Sequence, residues 1–287
     1  MSYVILTDSA CDLSPEVLSS FGVAIKSLTF RFTDSDKEYS NDEMPVSEFY
    51  EQMRQKRVAR TAAVNTEIFC EFFASYLKEG NDVLYLGFSS GLSNTYNAAR
   101  LAAEQLAAEY PERKILTVDT LCASAGQGLL VKLAVDRKNA GKTIEEVAAY
   151  VADTRLHICH WFTVDDLDYL KRGGRVSPLV AMAGNLLGIK PVLHVDNEGH
   201  LIKVGTARGR RGSLLSIAQK YDELAIDPAA GTVYISHADC RADAELLAKM
   251  LKDRHGVEVE IITDVGTVIG AHSGPGTLAL FFLGKER

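Results

Sequence analysis

Two kinds of apolar pattern alternate along the first half of the chain. Short continuous apolar runs, which are typical of buried strands, lie at residues 3–6, 23–32, 82–88 and 114–118. Stretches with helical spacing or helix start and stop signals lie at 14–22, 47–56, 65–78 and 95–108. A further helix is predicted after the strand at 114–118 and ends at Ala140. Residues 33–47 are polar and predict a loop, and Thr143 with Glu146 forms a capping box that opens another helix. Strands that alternate with helices predict parallel β-α-β units.

The second half has a different pattern. Two apolar runs flank a turn at residues 197–199, so residues 193–205 predict an antiparallel hairpin. Further strands are predicted at 233–237, 257–263, 265–271 and 278–283, with a helix at 241–255. We therefore predict an α/β fold of two α/β domains, residues 1–155 with a mainly parallel sheet and residues 156–287 with a mixed sheet.

The composition is that of a globular protein, because 47% of the 287 residues are hydrophobic and 24% are charged. The net charge of −7 argues against non-specific binding to nucleic acid or to an acidic membrane surface. The longest uncharged stretch, residues 265–284, contains five glycines and Pro275, so we expect no transmembrane helix. Asp8 precedes any long apolar run, so we expect no signal peptide. Five cysteines without a CxxC pair predict reduced thiols in the cytoplasm.

Positive charge is concentrated in one segment. Residues 171–211 carry eight Lys or Arg and two acidic residues, in a chain that is otherwise acidic. Arginine side chains suit a phosphate group or an acidic partner surface. We expect this basic segment to bind one or the other, and a solvated basic face is the alternative.

A serine hydrolase site is one candidate for the chemistry of the chain. Residues 87–91 match the pattern G-x-S-x-G between a predicted strand and a predicted helix, which is the setting of a nucleophilic serine. Ser89, Asp119 and His272 also follow in the chain order that such enzymes use. No HGGG-type segment for an oxyanion hole precedes Ser89, so this hypothesis is the weaker of the two that we keep.

Two other patterns are set aside. Residues 274–279 match G-x-G-x-x-A, but too few residues follow for the rest of a dinucleotide-binding unit. His157, Cys159 and His160 do not share one face of a strand, so we expect no metal site there.

Small hydroxyl and glycine residues recur where the predicted strands end, at residues 7–9, 60–62, 89–95 and 272–276. In a parallel α/β sheet these ends form the ligand crevice. The helix that begins near Ser93 and Asn94 would direct backbone N–H groups at an anion. Together these loops predict a site for an anionic ligand such as a carboxylate.

The same residues resemble the DegV family. The similarity runs in order along the whole chain through these segments: TDS at 7–9, SSGLSNTYNAA at 89–99, VDTLCASAGQGLLV at 118–131, LDYLKRGGRVS at 167–177, GIKPVL at 188–193, Arg208, and HSGPGTLAL at 272–280. The resemblance implies two α/β domains with a long-chain fatty acid bound between them. It also implies a carrier that presents the fatty acid carboxylate to a separate fatty acid kinase for acyl-phosphate formation, with no catalytic residue, cofactor or metal of its own.

The resemblance also implies where the fatty acid carboxylate binds. We expect it to lie against Thr61, Ala62, Ser93, Asn94 and His272. The family pattern T-S-x-P reads T-A-A-V at residues 61–64 here, and its S-G-T reads S-N-T at 93–95. The resemblance further implies that Arg175 and Arg208 contact the kinase or the phosphate.

The acyl chain needs an apolar wall. Leu179, Met182, Leu186 and Leu187 lie at helical spacing and are our candidates, with plain core packing as the alternative. At about 0.8 kcal/mol per buried CH₂, a sixteen-carbon tail would contribute on the order of 10 kcal/mol. Tail burial would therefore dominate affinity, and the polar residues would set the register of the chain.

Overall fold

The computed structural model describes residues 2–177 and 188–287. The strands are β1 (Tyr3–Asp8), β2 (Ala24–Lys26), β3 (Thr29–Phe32), β4 (Glu38–Ser40), β5 (Ala59–Ala62), β6 (Asp82–Gly87), β7 (Ile115–Asp119), β8 (Ile158–Thr163), β9 (Ile189–Val195), β10 (Leu201–Arg208), β11 (Val233–His237), β12 (Ile261–Asp264) and β13 (Leu278–Leu283). The helices are α1 (Pro15–Phe21), α2 (Val46–Arg54), α3 (Thr66–Lys78), α4 (Thr95–Glu109), α5 (Ala125–Asn139), α6 (Ile144–Thr154), α7 (Asp168–Arg172), α8 (Gly209–Leu224), α9 (Arg241–His255) and α10 (Thr267–Ser273).

A four-stranded parallel sheet in the order β2-β1-β6-β7 forms the centre of the N-terminal domain. Every residue of β6 is buried, as expected for a parallel strand that is covered on both faces. Val83 packs with α3 and α4 on one face, and Leu84 packs with α5 and α6 on the other. The predicted parallel β-α-β organisation is therefore confirmed, and so is the capping box of Thr143 and Glu146.

A six-stranded mixed sheet in the order β10-β9-β8-β13-β11-β12 forms the C-terminal domain. The predicted hairpin is confirmed, because β9 and β10 pair antiparallel on either side of the predicted turn. Helices α8 and α9 cover the face that carries Trp161, Ile235 and Leu280. The opposite face, which carries Phe162 and Ala279, is turned toward α5 of the N-terminal domain.

The strand predicted at residues 23–32 is two strands in two different sheets. Its first part, β2, pairs parallel with β1, whereas β3 pairs antiparallel with β4 and β5 in a separate three-stranded sheet. The prediction of a loop over residues 33–47 missed β4, and the loop predicted around residues 60–62 is strand β5. These strands are three or four residues long, so their apolar pattern is too short to show a period.

The prediction of a strand at residues 265–271 was wrong, because residues Thr267–Ser273 form helix α10. The β-branched residues there favour a strand locally, but buried packing overrides that propensity. Gly270 allows the Tyr50 ring to approach: a Cβ at that position would lie 2.3 Å from the tyrosine oxygen.

Helix α8 was not predicted at all, and the strand predicted at 257–263 is shortened to β12.

The domain boundary after residue 155 stays a prediction. It falls in a single 3₁₀ turn, Arg155–His157, which connects α6 to β8. The three-stranded sheet complicates the division, because Phe30 and Phe49 share one hydrophobic cluster with Val265.

All five cysteines are free, and burial raises the pKa of the Cys122 thiol to about 11.

None of the helices in the described ranges combines the length and the apolar character that a membrane crossing requires.

Candidate functional site

A cavity of about 310 Å³ lies between the two domains. Its volume is at the lower end of the range of small-molecule sites. The N-terminal domain contributes apolar side chains of Leu28, Phe88 and Leu92, and the C-terminal domain contributes Phe162, Val268 and Phe281. The wall is therefore largely apolar and is built by both domains.

Thr61 and His272 form a polar contact at the cavity wall. The Oγ1 atom of Thr61 at the end of β5 lies 2.8 Å from Nε2 of His272 on α10. Burial, together with the nearby positive charge of Arg175, lowers the pKa of His272 to about 4. The imidazole is therefore neutral at pH 7. In the tautomer that carries its proton on Nε2, His272 donates to the Thr61 oxygen, and the hydroxyl proton of Thr61 is then free to donate to a carboxylate.

Arg175 is held beside this pair by backbone carbonyls. Its Nε and Nη2 atoms donate to the carbonyl oxygen of Leu92 at 3.2 and 3.0 Å, and Nη1 donates to the carbonyl of Gly173. Partial burial lowers the pKa of the guanidinium from its ordinary value. The group is still charged at neutral pH, because an arginine side chain does not lose its proton in proteins. Its positive charge therefore lies at a fixed place at the cavity wall.

Ser93, Asn94 and Ala62 also line the cavity. The Ser93 hydroxyl lies 2.9 Å from the Thr95 hydroxyl and accepts from the Thr95 backbone N–H at 3.2 Å. Asn94 is exposed, and its side-chain oxygen accepts from Asn97 at 3.2 Å. All five residues predicted to surround a carboxylate thus line one cavity, together with Arg175.

A second depression, of about 420 Å³, adjoins the cavity, and we call it the outer groove because its lining includes the exposed side chains of Arg60 and Arg172. Thr61, Arg175 and His272 line both spaces, and the outer groove adds the cationic side chains of Arg60 and Arg172. These three shared residues therefore lie where the largely apolar cavity meets a basic groove.

Comparison with known proteins places this arrangement in a family. The family model described as "Uncharacterised protein, DegV family" matches residues 2–285. The chain belongs to the DegV family. It is 41% identical over 286 residues to a DegV domain-containing protein of Clostridium perfringens, covering 99% of this chain and 98% of that protein.

Solved structures of other DegV proteins share the fold. A DegV lipid-binding protein from Thermotoga maritima superimposes with a TM-score of 0.88 at 31% identity, covering all of both chains. A DegV family protein from Thermus thermophilus, described by its fatty acid binding, superimposes with a TM-score of 0.88 at 29% identity and covers 99% of this chain and 100% of that one. The prediction of a DegV protein with two α/β domains is confirmed.

Ser89 of this DegV protein is placed differently from a hydrolase nucleophile. Its hydroxyl is fully buried and donates to the carbonyl oxygen of Gly199 at 2.9 Å. Asp119 accepts from the backbone N–H groups of Ser90 and Leu121. Ser89 is thus bonded to the turn between β9 and β10, whereas His272 bonds to Thr61.

The basic segment contains both paired and exposed cations. Lys190 pairs with Asp165 at 2.6 Å, and Arg210 pairs with Asp243 at 2.8 Å, so part of its charge is neutralised. Arg208 is exposed at the end of β10, and it is not among the residues that line either space. Arg175 and Arg208, which were predicted to act together, are therefore in different surroundings.

The loop at residues 7–9 has a structural role in this DegV protein. The carboxylate of Asp8 is fully buried and accepts from the Tyr85 hydroxyl at 2.6 Å and from the Phe88 N–H at 2.9 Å. These bonds join the ends of β1 and β6 behind the cavity. Burial raises the pKa of Asp8, and the hydrogen bonds oppose that shift.

The predicted tail residues Leu179, Met182, Leu186 and Leu187 lie outside the described residues. The apolar walls that the structure does describe were missed because they are scattered along the chain. Strand periodicity was the available signal for two of them, since Ala279 and Phe281 alternate with residues that face α8 and α9. Nothing local marks Leu28 or Val268.

In the described ranges no cluster of three or more potential ligands suited to a metal ion is found.

Proposed function

We propose that this DegV protein binds one long-chain fatty acid in the cavity between its domains. The acyl chain lies along the apolar wall, and the carboxylate lies against Thr61, Ser93 and His272, with Ala62 and Asn94 beside it. The lipid-binding relative from Thermotoga maritima and the fatty-acid-binding relative from Thermus thermophilus support this assignment.

The chemistry of the polar end fits a carboxylate. Thr61 and Ser93 offer hydroxyl donors, and Arg175 offers a nearby positive charge held by the Leu92 carbonyl. A hydrogen bond to a charged group is worth roughly 1.5–3 kcal/mol. The tail contributes on the order of 10 kcal/mol. The tail therefore supplies most of the affinity, while the polar residues choose where along the cavity the carboxylate stops.

The position of Thr61, Arg175 and His272 on both the cavity and the outer groove carries the rest of the proposal. A carboxylate bound to these residues would be anchored by its tail on the inside and reachable from the groove on the outside. A separate kinase could then transfer phosphate to it: a carboxylate oxygen bonds to the terminal phosphorus of the nucleotide as the bond to the leaving diphosphate breaks. In this scheme the DegV protein is a carrier that supplies no catalytic residue.

The cationic side chains of the groove are the proposed contact for the kinase or the new phosphate. Arg172 is exposed and its guanidinium lies 4.6 Å from the centre of the Tyr169 ring, which keeps it at the groove. Arg208 is a second exposed cation of the same segment and is a weaker candidate because it lies outside the groove.

The five free cysteines support a cytoplasmic protein.

Charge reversal tests the carrier role. Lipid-loaded protein is mixed with a bacterial fatty acid kinase subunit and Mg-ATP, and ADP release is measured. We expect Arg172→Glu to lower the rate at least about tenfold and to leave the amount of bound lipid unchanged, because surface charge mainly affects association. Lys249→Glu is the control, because Lys249 is exposed on α9, on the other side of the mixed sheet.

A rate for Arg172→Glu equal to that of Lys249→Glu would refute the kinase contact. A loss of bound lipid in Arg172→Glu would instead place this residue in lipid binding. Arg175 is unsuitable for this test because its guanidinium bonds to the backbone at the cavity wall.

A further inference from the structure

Three serine hydroxyls interrupt the apolar wall of the cavity. Ser124, Ser236 and Ser273 all line it, and each is at least nine-tenths buried. None of them belongs to the proposed carboxylate site. Buried hydroxyls in an apolar cavity are costly unless they are hydrogen-bonded, so their partners matter.

When Asp12 is ionised, it fixes the direction of hydrogen bonding at Ser124. Its hydroxyl donates to the carboxylate of Asp12 at 2.6 Å, and the backbone N–H of Gly266 donates to the other oxygen of the same carboxylate at 3.0 Å. A serine hydroxyl has one proton. With that proton directed at Asp12, the oxygen of Ser124 can only accept.

Ser236 must therefore be the donor in its contact with Ser124, where the two hydroxyl oxygens are 2.9 Å apart. Ser236 lies opposite Ala279 in the register of β11 and β13, and both residues line the cavity. Its proton is used by Ser124, so the lone pairs of Ser236 remain to accept a hydrogen bond from the cavity side.

Ser273 is the complementary group. Its Oγ atom is buried and makes no hydrogen bond within residues 2–177 and 188–287. Thr277 links the backbone segments that carry these two serines: its hydroxyl donates to the carbonyl of Ser273 at 3.0 Å, and its carbonyl accepts from the N–H of Ala238, two residues after Ser236. The lining of one cavity thus offers an acceptor at Ser236 and an unused donor at Ser273.

We infer that this wall is a subsite for a hydroxyl group on the acyl chain, so that the cavity accepts a hydroxylated fatty acid. A hydroxyl both donates and accepts, which matches Ser236 as the acceptor and Ser273 as the donor. The inference rests on the proposed fatty acid binding and adds a selectivity within that ligand class. A chain hydroxyl that lies against the apolar part of the wall would lose its hydrogen bonds to water without replacement.

A positional scan tests the subsite. The affinities of octadecanoic acid and of a series of monohydroxyoctadecanoic acids, with the hydroxyl moved along the chain, are measured on delipidated protein. The pH is 8, because burial raises the pKa of Asp12 to about 7 and the carboxylate must be ionised. We expect one or two adjacent positions to bind at least as tightly as octadecanoic acid, and the others about tenfold more weakly, which corresponds to about 1.4 kcal/mol.

Serine variants locate the effect. Ser236→Ala and Ser273→Ala should each weaken the preferred isomer about tenfold relative to octadecanoic acid. Ser213→Ala is the matched control: Ser213 is fully buried, and its hydroxyl donates to the Arg210 carbonyl away from the cavity. Thermal unfolding of each variant confirms that it is folded.

Two results would overturn the subsite while leaving fatty acid binding intact. One is a uniform loss of affinity for every hydroxylated isomer, which would mean that the serines hold only water. The other is an equal effect of Ser236→Ala on octadecanoic acid and on the preferred isomer. Failure of octadecanoic acid and all its hydroxylated forms to bind would overturn the proposed function together with the subsite.

Discussion

Oγ1 of Thr61 and Nε2 of His272 lie 2.8 Å apart although 211 positions separate the two residues in the sequence. The contact joins strand β5 of the three-stranded sheet to helix α10, and both residues also face the outer groove. A fatty acid carboxylate at this contact would meet a hydroxyl and a neutral imidazole.

Removing the Thr61 hydroxyl should weaken fatty acid binding. Thr61→Val keeps the shape of the side chain and deletes one hydrogen-bonding group, so we expect a loss of about tenfold, or 1–2 kcal/mol. Titration of delipidated protein with octadecanoic acid measures it. Thr117→Val, in β7 of the parallel sheet, is the control and should bind as the wild type does. Equal affinities of the two variants would remove Thr61 from the site.

Filling the space beside His272 should displace its ring. A Cβ on Gly173 would lie 2.2 Å from Nδ1 of His272, so Gly173→Ala forces the imidazole or the backbone to move. We expect weaker fatty acid binding, again by about tenfold or more. Gly212→Ala is the control, because a Cβ there meets no atom closer than 3.7 Å. A Gly173→Ala protein with unchanged affinity would show that the position of His272 does not matter.

Acid should destabilise the ligand-free protein partly through His272. Its pKa in the folded state is about 4, below the ordinary value of 6.5. Between pH 4 and pH 6.5 this histidine is protonated in the unfolded chain and neutral in the folded protein. The free energy of unfolding is therefore highest above pH 6.5 and decreases toward pH 4, by up to about 3 kcal/mol. Urea unfolding at pH 7 and pH 4.5 measures the loss.

His272→Gln cannot take up that proton, so its stability should fall less between pH 7 and pH 4.5 than that of the wild type. His200→Gln, at an exposed position, serves as the comparison and should follow the wild type. Parallel pH curves for all three proteins would contradict the assignment of this proton to His272.

The buried carboxylate of Asp8 should be a stability determinant and no part of the lipid site. Asp8→Asn replaces one acceptor oxygen by a donor that opposes the Tyr85 hydroxyl, the Phe88 N–H or the Gln127 amide. We expect a loss of about 3 kcal/mol in the free energy of unfolding, read from urea titration. Asp36→Asn on an exposed loop should change it little. A small effect at Asp8 would mean that the network is dispensable.

The regular elements could be predicted because their signals are local. The amphipathic pattern of α3 and its Asn65 cap, the Thr143 capping box, and the glycine turn between β9 and β10 are each contained within a few residues. The short strands and α10 could not, since their conformations depend on partners far away in the chain. Val265 packs with Phe30 and Phe49, which lie more than two hundred residues earlier.

The candidate site divides in the same way. Thr61, Ser93 and His272 belong to hydroxyl-rich segments that stand out locally, and the structure places them on one cavity. The direction of the hydrogen bond from Ser236 to Ser124 depends on Asp12, more than one hundred residues from Ser124, and no local pattern could reveal it. The division of the basic segment into paired and exposed cations depends on distant carboxylates in the same manner.

This DegV protein is proposed to carry a fatty acid between its domains. Mass spectrometry of the material extracted from purified wild-type protein and from Thr61→Val tests it most directly. We expect about one long-chain fatty acid per wild-type chain and a clearly smaller amount from the variant. A wild-type protein that contains no fatty acid, and that takes none up when octadecanoic acid is added, would contradict it.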